Sequence, residues 1–549
     1  MEMSNGPAGD GTARARGVRV AEWLGFSLIV VIVLALAFPV YIPLRYRVPG
    51  FQALTPNKIL LPLLVPVAVA LALGREARRR WRNPVTGMFG LLVAWALTSA
   101  AFNETGNLVL NFKNLLWLVL AFALHLVVIA TVTTRRRTTI VVGAFAALAC
   151  LLSVFGFVEI HTFNAWDQFF MLFRPQLIAG DMVAHGPDIL LPLHNYYGTR
   201  RILQSTLGSS TLFALLATLL FGAVAEALDG PGRQRRGRTW LLLVSFWLMA
   251  SATWLTFSRS AVLQLATGVA TGFLLACWAR RRIPWATVAA TVAVAAVVIA
   301  VDPESVNLVA AKFGSTRYGL AELQRVESAP PKASPAAPPP VAAPSAPVAA
   351  APPAAVPAAG PPALAPAASP PPAPPAAAAP APAALPPPAP TGSFSVAQRL
   401  ILARVAVDMA MRYPVFGAGP LNFRPLLYGD PHYQSMFRLG VFEVFDAHNF
   451  YLTTLATMGA IGLLLLLGLL MLAVRQLASG LGPAGWTSGA LTVCSLWAAF
   501  LVGGFFGFSL LDPVSDIIFA FLLSAVLVVC PFGGERSGAL HAGQDLRAG

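Results

Sequence analysis

Four arginines and one histidine stand where an apolar chain has least reason to keep them. Arg200, Arg201, Arg259, Arg399 and His448 each lie at or near the outer end of an apolar block. The inward bias of positive charge in membrane proteins disfavours arginine there, so each needs a reason. Guanidinium forks match phosphate oxygens in pairs and stay charged at any working pH. Several of them converging would seat a diphosphate; taken singly, each would anchor lipid headgroups or join a local ion pair. His448 sits in the run Asp446-Ala447-His448-Asn449-Phe450-Tyr451-Leu452, which opens an apolar block. A neutral imidazole there can take a proton from a hydroxyl, because histidine titrates near ambient pH. The start of a helix disfavours imidazolium and so keeps the base neutral. The plainer alternative is a histidine that caps the helix or bonds headgroups. Asp446 either orients that imidazole or caps the helix start.

The elements that must position these residues are membrane helices. Apolar residues make up 57% of the 549 and DEKR only 11%, about half the charged share of a soluble domain. No single soluble core hides that much apolar surface. The apolar residues come in blocks of about 17 to 25, the length that crosses a bilayer as helix. Backbone amides in lipid must bond within their own segment, so the blocks are expected to be helices. The fold class expected is an all-α polytopic membrane protein with about twelve transmembrane helices and both termini cytoplasmic.

Residues 1–20 read as a cytoplasmic tail, and 21–301 as helices 1 to 9, the first over 21–44 and with an outer loop at 159–201. A large outer loop follows at 302–447, then helices 10 to 12 over 448–531 and a cytoplasmic tail at 532–549. The net charge of +15 raises the question of a nucleic-acid partner. Its distribution excludes one: most arginines form short runs after every second span, such as Arg75 to Arg82 and Arg135 to Arg137, as the positive-inside rule requires. The four cysteines (Cys150, Cys277, Cys494, Cys530) show no metal spacing. The first block lacks a cleavage site and is expected to remain as an anchor.

Within the large loop, 25 of the 46 prolines fall between Pro330 and Pro390, most of the rest being alanine. Such a tract, taken over 329–392, cannot bury a core and is expected to be an extended or disordered spacer. After it, Phe394 to Met411 has helical periodicity, and Tyr413-Pro414-Val415-Phe416-Gly417-Ala418-Gly419-Pro420 stops that helix. Asp181, His185, Asp188 and His194 are spaced too irregularly to argue for a metal. Lys113, His125 and Asp512 lie in or beside spans and should face the protein interior, where they would suggest an ion path.

Taken in order, three motifs resemble the O-antigen ligase family. They are Ser258-Arg259-Ser260 opening a span, Arg399 ahead of Gly417-x-Gly419-Pro420-x-Asn422-Phe423, and His448-Asn449-x-Tyr451-Leu452 opening the next span. The resemblance covers the second half of the chain and reaches the first half by topology alone. A Pro-Asn pair frequent in that family is replaced here by Gln204-Ser205-Thr206-Leu207-Gly208, which leaves the choice between Arg200 and Arg201 open.

The resemblance implies a GT-C-like fold in the bacterial inner membrane, with its active site facing the periplasm and no metal or other cofactor. It implies transfer of a glycan from undecaprenyl diphosphate to an acceptor hydroxyl, on lipid A core (ligase) or on a growing O-antigen or exopolysaccharide (polymerase), with inversion. A protein acceptor ranks third. On this analogy Arg399 and Arg201 (or Arg200 in its place) hold the diphosphate, Arg259 lines the same pocket, and His448 activates or positions the acceptor. Asn449, Tyr451, Gly417 and Gly419 line the substrate. Partners would be the lipid-linked donor, the acceptor, membrane lipids and a chain-length regulator. A transporter or flippase for a lipid-linked glycan or small anion is the alternative, and would call for inverted repeats and broken spans. A scaffold tethered by the Ala/Pro tract would leave the arginines and His448 without a task. Deleting Pro330 to Pro390 is expected to leave glycan assembly intact; loss of assembly by a stably inserted deletion protein would show the insert to be more than a spacer.

Overall fold

Most of the apolar blocks coincide with helix in the computed structural model. It describes residues 10–37, 42–48, 51–54, 56–103, 108–161, 196–197, 200–201, 210–229, 236–314, 391–420, 422–436, 446–480, 488–506 and 513–530. The helices are α1 (Asp10–Ala35), α2 (Pro56–Leu60), α3 (Leu64–Ala72), α4 (Arg75–Trp81), α5 (Pro84–Ala101), α6 (Leu108–Thr131) and α7 (Arg135–His161). They continue with α8 (Ser210–Asp229), α9 (Arg236–Leu255), α10 (Arg259–Arg280), α11 (Trp285–Val301) and α12 (Pro303–Gly314). The last are α13 (Thr391–Arg412), α14 (Phe423–Gly429), α15 (Pro431–Met436), α16 (Phe450–Gly480), α17 (Ser488–Gly504) and α18 (Pro513–Val529). Among the described residues, six helices are long and apolar enough to cross a membrane, and six shorter apolar helices accompany them. The protein is a multi-pass membrane protein.

Two small hairpins interrupt the helical pattern expected from the sequence. The first span does not run to residue 44: helix α1 ends at Ala35, and β1 (Ile42–Val48) pairs antiparallel with β2 (Phe51–Leu54). Pro39 and Pro43 lack the amide a helix needs, and the segment between Tyr41 and Val48 is rich in β-branched and aromatic residues. At its other end α1 starts at Asp10, inside the stretch read as a tail. The second hairpin pairs β3 (Tyr196–Tyr197) with β4 (Arg200–Arg201). The candidate metal residues between 181 and 194, the Ala/Pro tract up to residue 390 and Asp512 lie outside the described residues. So does the side chain of Lys113.

The chain divides into two units, Met1–Gly314 with Gln398–Gly549, and Ser315–Ala397. Of the second, only the opening turns of α13 fall among the described residues. In the first unit, glycines let helices approach closely. Gly268 and Gly272 on α10 meet Thr218 of α8, Ala499 and Ser495 of α17, and Phe221 of α8, where an added Cβ would intrude. Lipid offers no hydrophobic drive between helices, so such close packing is what holds them.

His125 ties three helices together. It is fully buried, its Nε2 lies 2.9 Å from the Thr86 hydroxyl of α5 and its Nδ1 2.9 Å from the Ser524 hydroxyl of α18. Asn83 donates to the Thr86 hydroxyl at 2.8 Å, and Ser524 donates to the Ala520 carbonyl at 2.7 Å. Those two bonds fix the rest: Thr86 donates to Nε2, and Nδ1–H donates to Ser524. Phe89 packs its ring edge-on against His125 and Phe519. His125→Ala leaves two buried hydroxyls short of a partner and opens a cavity. The variant is expected to lose about 2–4 kcal/mol of stability, seen as a lowered thermal midpoint in detergent.

Candidate functional site

Helix α16 is broken one third of the way along, and the break organises the site. Gly459 takes φ 71°, ψ −174°, outside the helical region. The amide of Ala460 therefore donates to the Pro414 carbonyl at 2.8 Å instead of to its own helix. The carbonyls it abandons are taken by the incoming loop: Ala418 N–H donates to Ala456 O at 2.7 Å and Gly419 N–H to Thr457 O at 3.0 Å. The loop from Pro414 to Gly419 thus completes a helix it does not belong to. Contact this close needs glycine, since a Cβ on Gly417 would strike the main chain of Thr457 to Gly459, and one on Gly459 would strike the Val415 carbonyl. Both also have positive φ, as does Gly419 at 94°.

Helix α5 clamps the joint from the other side. Ser99 donates to the Phe416 carbonyl at 2.5 Å, Asn103 to the Gly417 carbonyl at 2.8 Å and Trp95 Nε1 to the Met458 carbonyl at 2.9 Å. The rings of Trp95 and Phe102 stack on Phe416. Helix α13 enters this joint and is braced beyond it. Arg412 pairs with Asp408 at 3.1 Å, reaches towards Asp430 at 3.8 Å and lies over the Tyr433 ring. The position of Arg399, on α13, is therefore fixed relative to the start of α16.

That start carries His448. Asn449 caps the helix, its Oδ1 accepting the N–H groups of Tyr451 and Leu452 at 3.0 Å each. The Tyr451 hydroxyl donates to the Leu501 carbonyl of α17 at 3.1 Å. His448 has φ 50°, left-handed and uncommon for a side-chain-bearing residue. Its N–H donates to Asp446 Oδ1 at 2.7 Å, and its ring Nδ1 lies 3.6 Å from that same oxygen. The side chain remains 44% exposed.

A second left-handed residue, the buried Phe257 at φ 48°, turns the chain into α10. Ser258 caps that helix, its hydroxyl accepting from Ala261 N–H at 3.4 Å. It also lies 2.8 Å from the Ser260 hydroxyl and receives the Ser210 hydroxyl at 3.1 Å. The starts of α8 and α10 are thus tied through a serine chain beside Arg259.

Electrostatics show which charges meet. Burial holds Arg399 below the usual guanidinium range, and the positive charge of Arg259 acts in the same direction. Burial also lowers the basicity of His448; Asp446 opposes this and Arg399 reinforces it. Arg259, Arg399 and His448, separated widely in sequence, therefore share one electrostatic neighbourhood. Arg200 and Arg201 are described only as paired strand backbone opposite Tyr197 and Tyr196. Sequence reasoning missed Trp95, Ser99 and Asn103, whose polar atoms give no motif, and Ser210, which lies 48 residues from its partner. Nothing in the sequence marks Gly459 as a helix break.

A bundle of apolar helices with Arg259 and His448 at helix starts and Arg399 within α13 defines a multi-pass membrane protein. Residues 244–467 match the family model described as O-antigen ligase, the family that the motifs resemble. The matched stretch contains Arg259, Arg399 and His448 and leaves Arg200 and Arg201 outside it. No curated protein matches the chain.

Gly459→Ala is expected to expel the Pro414–Gly419 loop, since alanine neither tolerates the observed φ nor clears the Val415 carbonyl. Limited proteolysis should then cut near residues 413–420 in the variant and not in the parent; equal protection would show the joint to be dispensable.

Proposed function

We propose that this protein transfers a glycan from undecaprenyl diphosphate to an acceptor hydroxyl at the periplasmic face of the bacterial inner membrane. The observation that carries the reading is the gathering of Arg259, Arg399 and His448, groups whose charged forms repel one another. Assembling like charges in a partly buried place is unfavourable unless a polyanion visits it. A diphosphate is such a ligand, and guanidinium forks suit its oxygens. The match to the O-antigen ligase model over these same residues supports the choice of donor.

In this reading Arg399 and Arg259 hold the diphosphate, with Arg200 or Arg201 as a further ligand. They stabilise the charge that develops on the leaving phosphate, the task a divalent cation performs in other transferases. His448 takes the proton of the acceptor hydroxyl as that oxygen attacks the anomeric carbon from the side opposite the diphosphate, which inverts its configuration. Asn449, Tyr451, Gly417 and Gly419 act by position. Their polar atoms or backbone are already engaged with α16, α17 and the joint, and they set where His448 and Arg399 stand. The twelve-span GT-C-like topology belongs to this proposal, as do a chain-length regulator as partner and the choice between lipid A core and growing polymer as acceptor.

A broken helix is also a transporter feature. Here the freed groups of α16 are taken by the Pro414–Gly419 loop rather than left to line a passage, so the transferase reading is preferred.

His448→Ala and Arg399→Ala, made separately, are expected to reduce surface glycan by about a hundredfold or more, with protein level and insertion unchanged. Normal glycan from both would end the assignment. Arg399→Lys should restore only part of the activity, a point charge replacing a fork. The base works when neutral and its basicity is lowered, so the rate should persist below pH 6.5 before falling as the imidazole is protonated. Lipid A core without polymer in a null strain would mark a ligase; single repeat units on the core would mark a polymerase.

A further inference from the structure

Asn449 covers the first free amides of α16, so Asp446 is not needed as the helix cap. Its carboxylate is turned instead to the neighbouring histidine. We propose that Asp446 is the positioning residue of His448, one carboxylate oxygen bonding the main-chain N–H and facing the Nδ1 edge of the ring. The inference rests on the reading of His448 as the base and specifies how that base is presented.

The geometry has two parts. The 2.7 Å bond from His448 N–H to Asp446 Oδ1 closes an Asx-type turn, which supports the left-handed backbone at His448. The same oxygen stands 3.6 Å from Nδ1, longer than a hydrogen bond. Catalytic contacts of this kind often tighten only when substrate is bound. A proton on Nδ1 facing the carboxylate leaves the lone pair on Nε2.

The charged groups acting on the ring are Asp446 from its own segment and Arg399 from α13, with opposite signs. When Nε2 takes the acceptor proton, the acceptor oxygen's electron pair forms the bond to the anomeric carbon. The bond from that carbon to the diphosphate oxygen breaks, and its pair leaves on the diphosphate. Asp446 then faces an imidazolium, which its charge stabilises; the proton passes to water afterwards.

The test uses full-length protein in lipid nanodiscs and two neutral variants that keep an acceptor for the turn, Asp446→Asn and Asp446→Ser. Diethyl pyrocarbonate modifies neutral imidazole, and the extent at His448 is read by mass spectrometry of its peptide across pH. This readout does not require glycan transfer. In both variants the inflection is expected to move to lower pH by about one unit. The acid limb of transfer should move the same way, and the rate at pH 7 should fall about tenfold to a hundredfold. An inflection unmoved in both variants overturns the proposal, whatever happens to the rate, because Asp446 would then serve the turn alone. A shifted inflection together with normal transfer by His448→Ala would leave Asp446 as the positioning group and remove the base role from His448.

Discussion

A peptide group inside an apolar helix has no water to turn to, and the break at Gly459 creates several such groups at once. Each unpaired amide or carbonyl in lipid-like surroundings costs several kcal/mol, on the order seen for apolar transfer. The break survives because Pro414 offers a carbonyl while Ala418 and Gly419 offer amides in register with it. That requirement joins two stretches far apart in sequence with the specificity of a strand pair. Everything else at the mouth inherits its position from this joint: α13 is anchored at one end of the loop, and the His448 turn lies eleven to thirteen residues before the break.

Position then becomes electrostatics. Arg399 feels Arg259 and His448 feels Arg399 because the joint and the serine-linked starts of α8 and α10 bring these elements together. Charges in a half-buried setting interact with several times their strength in water. The same crowding disfavours the charged forms: burial first, and Arg399 after it, lower the basicity of the His448 imidazole. Asp446 tempers that lowering without cancelling it.

The helices were legible because apolar runs of membrane length leave the backbone few other choices. Arg259, Arg399 and His448 could be singled out because charge at the outer end of such a run has to be explained. The joint was not legible. A glycine-rich turn at 417–419 and a glycine inside a span each have ordinary explanations, and only coordinates reveal that one completes the hydrogen bonds of the other. The β1–β2 hairpin was lost for a related reason: residues 36 to 44 continue the apolar composition of the first helix, and the two prolines in that stretch carry more information than its hydropathy. Arg200 and Arg201 are described as strand backbone alone, and no motif in the sequence chooses between them.

The bonds around His125 have a consequence for any movement of protons through the bundle. From Asn83 to Thr86, to the imidazole, to Ser524 and on to the Ala520 carbonyl, every donor points the same way. A proton hopping along that line would leave each dipole reversed, and resetting them would require rotating hydroxyls and a ring packed against Phe89 and Phe122. The line also ends on a carbonyl already inside a helix, which has no onward donor to pass. A histidine deep in a membrane bundle invites interpretation as a conduction step; wired in this manner, it works as a rivet.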